Sequence, residues 1–415
     1  MQMRRANATL EYQGTDITSD IASDLKSISY EEGFGQADTI SVDIQDRNKK
    51  WMLKWKPKTG ERLIAGINTT NWQNEGDISK LTCGLFLVDD LEYTGPPSTL
   101  SLKGISLPAD TSFIGVPHSR TWRNITIKDL IASMLPKSIT LSWQTSFNFI
   151  LTFAEQSEVP DLEYISGLCE KYGLRLKVLN NRLVVFSAFE LDTQTPIRKI
   201  TPDDLGNLGS YAFRHTATRT QYDACTVKYQ NAAQGQELSY TYPQGGNPQK
   251  VYVVTTPVFS IAEAEAVAKA AFWSQNMIAD SCELTLSLGD TRLYAGRNIE
   301  IEGYGDSDGI YGIDASVHEV SGDGYKTSIT LHRVITMPEA ISAPQASQIK
   351  IGDTVNFSGG NHYPMSIATT PVGGNRTAGT AKVTNIAANA PHPYHLIGIT
   401  SNVFGWVDAS TVTKG

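Results

Sequence analysis

Cysteine is scarce: four residues in 415, Cys83, Cys169, Cys225 and Cys282, none in CxxC spacing. That excludes a zinc knuckle and a dithiol redox pair, and buried, reduced thiols are expected instead. Charge is scarce too. Asp, Glu, Lys and Arg make up 19% of the chain, with a net charge of −8, against about a quarter in ordinary globular proteins. A protein that coats nucleic acid needs a clear Lys/Arg excess to neutralise phosphates, so nucleic acid is disfavoured as a partner. No apolar run approaches the roughly eighteen residues of a membrane-spanning helix, so membrane insertion is not expected. The start, Met1-Gln2-Met3-Arg4-Arg5, is basic but lacks the apolar stretch of a signal peptide. A phosphate-cradling GxxxxGKS or GxxxxGKT loop is also missing.

What is present suits a folded chain of several domains. Hydrophobic residues reach 40%, and the length accommodates about two to four domains with real cores. The charge is unevenly spread. Residues 349–415 hold four basic side chains (Lys350, Arg376, Lys382, Lys414) and two acidic ones (Asp353, Asp408), a net +2 against −10 for the 348 residues before them. That break marks a separate C-terminal module.

Residues 41–46 alternate polar and apolar, the period of a half-buried strand, and similar runs fall at 25–30, 62–67, 83–93 and 99–107. Helices come next. Thr126 and Asp129 read as a capping box, Pro160 as part of the first turn of a second helix, and Gly173 as its stop. Asn180-Asn181 reads as a hairpin turn between two strands. Strands return from about residue 208, interrupted by an Ala-rich helix that Ser260 and Glu263 cap. The pattern predicts a mainly β fold: two small antiparallel β-barrel domains with an intervening α/β domain, plus a small C-terminal β-barrel. The expected boundaries are 1–107, 108–206, 207–336 with one helix insertion, a linker at 337–348, and 349–415.

No catalytic set emerges. Gly305-Asp306-Ser307-Asp308-Gly309 matches the G-x-S-x-G nucleophile pattern, but a strand rather than a helix follows, so a hairpin turn is expected. As a calcium loop it fails as well, because the twelfth position from Asp306 is Val317 where Glu is required. His392 and His395 are flanked by Pro391 and Pro393, with no Cys or carboxylate close in sequence to complete a metal set. The adjacent pairs Asp89-Asp90 and Asp203-Asp204 read as solvated turns. No cofactor is implied. One stretch stands out: between Arg47 and Lys58, six basic residues interleave Trp51 and Trp55. Stacking on single-stranded nucleic acid fits that composition superficially. The acidic surroundings, with Asp43 and Asp46 just before it, favour tryptophan anchors on the β domain, outward lysines and a protein interface.

The order of several motifs resembles the late control gene D family of phage tail hub proteins, which includes the hub domain of VgrG spike proteins and defective-prophage tail proteins. The resemblance runs through Asp16-Ile17-Thr18, Ile28-Ser29-Tyr30, Ala37-Asp38-Thr39-Ile40, and Asp46-Arg47 with Trp51, Trp55, Pro57 and Gly60. It continues at Gly95-Pro96-Pro97, Arg120-Thr121-Trp122, Leu168-Cys169-Glu170-Lys171-Tyr172-Gly173, Ala262-Glu263-Ala264-Glu265, Ala295-Gly296, Gly303-Tyr304, Asp308-Gly309, Tyr311 and His318. Relatives often carry acidic residues between the two tryptophans, where this chain has Lys54. The last module resembles a small bacterial Src-homology-3-like barrel, through Ile351-Gly352-Asp353, Gly379-Thr380-Ala381 and Gly405-Trp406-Val407.

The resemblance implies a non-enzymatic baseplate hub, a homotrimeric ring that adapts a sixfold tail tube to a threefold central spike. The implied partners are the tube protein, the spike and other baseplate proteins. The implied place is a virion or phage-tail-like particle assembled in the bacterial cytoplasm. The competing reading is a baseplate-associated peptidoglycan hydrolase whose C-terminal module binds the cell wall. In that module Tyr363, Tyr394 and Trp406 are candidate stacking contacts, with Trp406 expected to fill the small core instead.

Overall fold

The computed structural model describes residues 3–106, 111–179, 181–216, 221–231, 236–244, 247–335, 349–387 and 390–414; the expected linker at 337–348 lies outside them. They form two compact units, one within residues 3–335 and a smaller one over residues 349–414. The fold is mainly β, and no helix among the described residues is long and apolar enough to cross a membrane.

The large unit is organised by a thirteen-stranded sheet. Its strands arise as their period requires. In Thr39–Gln45, Ile40, Val42 and Ile44 are buried while the residues between them face outward. The N-terminal strands surround a core of Leu10, Ile28, Ile40, Ile67, Phe86 and Leu100. The later strands Asp280–Leu286, Gly309–Ser321 and Gly324–Arg333 surround a second, with Leu284, Ile299, Tyr311, Ile313 and Leu331. These two β regions share one hydrogen-bonded ladder. Leu25–Gly33 pairs antiparallel with Gly309–Ser321, from Gly33 opposite Ala315 to Ser27 opposite Ser321.

Between the two regions in sequence comes a mixed α/β layer. Helix Ile127–Met134 begins where the Thr126 hydroxyl accepts the Asp129 N–H at 3.1 Å. Helix Asp161–Lys171 starts one residue after Pro160, which is its N-cap, and ends before Gly173 at φ +69°. Strands Leu174–Leu179 and Arg182–Ser187 pair up to Leu179 opposite Arg182; Asn180 of the expected turn lies outside the described residues. A further sheet of Ala224–Asn231, Gln236–Tyr242 and Val251–Val254 packs on helix Ile261–Met277. Its Cys225, Val227 and Tyr240 share a core with Leu130, Ile165 and Val185. The strand pattern places this sheet in the expected domain 207–336. All four cysteines are buried and free, and burial pushes each thiol up to about 12.

Two buried polar networks join the layers. Glu32 accepts from the Ala295 N–H at 2.5 Å and the Ser316 hydroxyl at 2.8 Å, and forms an ion pair with Lys177. Asp38 lies 3.6 Å from the same ammonium and accepts from the Tyr30 hydroxyl at 2.8 Å. Burial raises Asp38 to about 6 against the pull of Lys177. Beside them His318 is fully buried between the Tyr325 hydroxyl at 2.7 Å and the Leu293 carbonyl at 3.0 Å, and burial pulls its imidazole down to about 4. In the second network both His332 nitrogens face carboxylates, Asp192 at 3.0 Å and Asp314 at 2.9 Å. Trp273 donates to Asp192, and Arg175 pairs with Asp314. A Cβ on Gly312 would lie 2.6 Å from the His332 ring, so glycine is required there.

The small unit is a five-stranded antiparallel sheet, in the order Phe404–Val407, Tyr394–Gly398, Gly379–Ile386, Thr354–Phe357, Val412–Lys414. Val355, Phe357, Val383, Leu396 and Val407 fill its core.

Candidate interaction surfaces

The Lys/Trp stretch folds into the short helix Lys50–Leu53, held from behind by Asp46. The Asp46 carboxylate is buried and accepts the Trp51 N–H at 3.0 Å and the Met52 N–H at 3.1 Å. As expected, Trp51 is an anchor, buried among the strands. Trp55 is not: it stays 42% exposed and meets the Trp51 ring edge-on at 5.4 Å. Lys50 places its ammonium 3.5 Å from the centre of the Trp55 ring. Leu53 is 71% exposed, and Lys54, Lys56 and Lys58 face solvent. The segment roofs a cavity of about 600 Å³ floored by Leu10, Val42, Ile44 and Leu63. The Trp51 indole N–H is buried there without a hydrogen-bond acceptor among the described residues.

A second concavity, about 610 Å³, opens between helix Asp161–Lys171, strand Ile150–Pro160 and the Pro257–Phe259 segment. Phe153, Tyr164, Tyr229 and Phe259 line it, with Glu155 and Glu163 at the rim. Phe259 meets Phe153 and Tyr229 edge-on at 5.4 and 6.1 Å. Lys171 is neutralised by buried Glu263 at 3.0 Å, leaving the two rim glutamates without an ion-pair partner among the described residues. Sequence reasoning missed this groove. Its one local signal is Gly167, a glycine inside a helix.

The Gly305–Gly309 turn is the expected turn, but with unexpected neighbours. Residues Gly305–Ser307 form a single 3-10 turn before the strand Gly309–Ser321. The Ser307 hydroxyl lies 3.0 Å from His215 Nε2, and His215 Nδ1 lies 2.8 Å from Asp280. The order Ser–His–Asp is that of an acyl-transfer triad, but two further requirements fail. Ser307 is buried, and the N–H groups that would stabilise an oxyanion are spent inside the turn, Ser307 on Tyr304 and Asp308 on Gly305. The three residues act as a clasp between the Ser210–His215 edge and the turn. A fluorophosphonate probe is expected to leave Ser307 unmodified in the folded protein; stoichiometric labelling, lost in Ser307→Ala, would reverse that assignment.

The other acidic pairs are not solvated turns. Asp204 closes a capping box with Thr201 on the helix Pro202–Leu205 and pairs with Arg198 at 2.5 Å. Its hydrogen bonds from Thr201 and Arg198 outweigh burial and lower its pKa. The sequence Thr-Pro-Asp-Asp carries that cap in plain view, with proline in the first helical turn. Asp89 and Asp90 lie in the strand Ile78–Thr94, at a break in register.

In the small unit, Tyr363 stacks on His392 with ring centres 3.4 Å apart. His392 in turn meets Asp408 at 2.5 Å, a carboxylate that its own sequence neighbourhood does not contain. The expected three-aromatic surface is not assembled as one face. Tyr394 pairs with Val407 and packs against the core, whereas Trp406, one residue earlier, points to the opposite side. The expectation that Trp406 fills the core is therefore corrected: it is half-exposed, beside His395 at 5.4 Å. The physical reason is Gly405, where a Cβ would come within 2.8 Å of His362. Only glycine fits inward at that position, and the alternation turns its neighbour outward.

The fold that carries these surfaces is that of tail proteins. The tail protein from Neisseria meningitidis MC58 superimposes with a TM-score of 0.59 at 14% identity, covering 79% of this chain and 96% of that one. The 43 kDa tail protein of prophage MuSo2 from Shewanella oneidensis gives 0.58 at 12% identity, covering 80% and 99%. By sequence the chain is similar to the probable baseplate hub protein of Escherichia phage 186, 26% identical over 230 residues. That match covers 53% of this chain and 55% of the relative, so the chain spans about half the length of the curated relative it matches. No family model matches.

Proposed function

We propose that this chain is a structural baseplate hub of a phage tail or phage-tail-like particle, and that three copies form a ring adapting a sixfold tail tube to a threefold spike. The observation that carries the reading is the pair of β regions fused into one sheet by the Leu25–Gly33 and Gly309–Ser321 ladder. Three chains then offer six β regions to the tube while the assembly keeps threefold symmetry for the spike. The tail-protein fold and the similarity to a probable baseplate hub support it. The role is mechanical and needs no turnover. The small unit, read as a Src-homology-3-like module, serves as the peripheral contact to another baseplate protein or to the cell wall. The domain division at 107, 206 and 336 belongs to the same reading.

The test is imaging. Electron cryomicroscopy of the assembled particle is expected to place this chain as a threefold ring at the end of the tube. Its absence from that position, or a stoichiometry other than three per tail, would sink the proposal.

A further inference from the structure

We propose that the Lys/Trp segment of one protomer seats in the aromatic, glutamate-rimmed groove of a second copy of this chain, and that this joint closes the ring. The inference rests on the ring reading above and assigns its contact.

The segment is shaped for insertion. Its tip presents Leu53 and the half-exposed Trp55 between Lys54 and Lys56, none of them in an ion pair among the described residues. Asp46 and buried Trp51 fix its base, so little conformational freedom remains to be lost on docking. In its own chain it lies over the strands that bear Leu10 and Leu63.

The groove is the complement. An apolar tip of one Leu and one Trp suits its aromatic walls, which offer ring faces and edges to indole and ammonium alike. Glu155 and Glu163 supply the opposite charge at the rim. The cations facing the same space are Lys171, already held by Glu263, and Arg123, whose guanidinium lies over Phe153 at 5.2 Å. Gly167 gives independent support. A glycine within a helix costs about 1 kcal/mol relative to alanine. Among the described residues no atom beyond its own neighbours and the helix's own backbone lies within 4 Å of where its Cβ would be. Among the described residues nothing fills that space, which leaves it free for a side chain inserted from the second copy. Segment and groove are different surfaces of one chain, so the contact is head-to-tail, the kind that generates a closed ring when the rotation closes.

Sedimentation velocity and native mass spectrometry of the full-length chain test it. The wild type is expected to form trimers. K54E/K56E and E155K/E163K are each expected to weaken assembly by roughly tenfold or more, and the four changes together to restore it. Gly167→Leu fills the groove at a position with open space. It is expected to abolish assembly while the monomer's melting temperature holds or rises. Trimers that survive both charge reversals and Gly167→Leu overturn the joint and leave the ring standing. A wild type that never trimerises, in solution or in the particle, overturns both.

Discussion

Replacing Glu32 by alanine is expected to lower the unfolding free energy by about 3–5 kcal/mol, the usual loss when one partner of a buried ion pair is removed. Glu32 is 1% exposed, and the Lys177 side chain whose ammonium it holds is only 17% exposed. Without Glu32 the ammonium keeps, among the described residues, only the more distant carboxylate of Asp38 at 3.6 Å. The Ala295 N–H and the Ser316 hydroxyl lose their acceptor at the same time. Denaturant unfolding of the variant measures the loss. Combining Glu32→Leu with Lys177→Met is expected to recover only part of it: no ammonium is stranded, but Asp38 loses its cation and the Ala295 N–H and the Ser316 hydroxyl still lack an acceptor. A loss below about 1 kcal/mol in Glu32→Ala would show that the network is not what couples the two β regions to the α/β layer.

The second large effect is a stability slope in mild alkali. Burial alone would lower the His332 pKa, but Asp192 and Asp314 outweigh it and raise the imidazolium to about 9. The geometry requires the same charge, since each ring nitrogen has a carboxylate to donate to. A histidine with a pKa near 6.5 in the unfolded chain and near 9 in the fold contributes stability that is complete below pH 6.5. That contribution is lost as pH rises to 9, about 3 kcal/mol in all. His332→Asn is expected to be less stable than wild type at pH 6 and to show a flat profile between pH 7 and 9. An unchanged slope in the variant would place the titrating group elsewhere. His318 is the mirror case: held neutral down to about 4, it loses stability as pH falls from 6.5. Asp38, raised to about 6, opposes that loss in the same window, so the acid limb is expected to be the shallower.

The contrast between these clusters and the strands shows what a sequence exposes. Thr39–Gln45 could be read because its burial alternates within seven residues. The caps at Thr126 and Ser260 could be read because donor and acceptor are three positions apart. His332 could not, because its carboxylates arrive from residues 192 and 314, and a local period carries no information about which distant strand becomes a neighbour. The same limit hid the pairing of Leu25–Gly33 with Gly309–Ser321, and with it the fusion of two expected barrels into one sheet. Of the surfaces, the Lys/Trp segment was visible from composition alone. The groove was not, since its aromatics come from residues 153, 164, 229 and 259 and become one wall only in three dimensions. Trp406 was misplaced because the deciding residue was its neighbour: Gly405 had to face inward beneath His362.

The shared ladder also sets a timetable. Leu25–Gly33 leaves the ribosome early, yet one of its two partners is Gly309–Ser321, so everything between residues 33 and 309 must be synthesised first. At elongation rates of about 5–20 residues per second that wait is on the order of tens of seconds. Throughout it, one edge of the strand offers unpaired N–H and C=O groups to any passing chain. The joint that makes one sheet of two β regions therefore forms late, and one edge of its first strand is exposed to misassembly early. Chaperone protection during synthesis has its clearest target there.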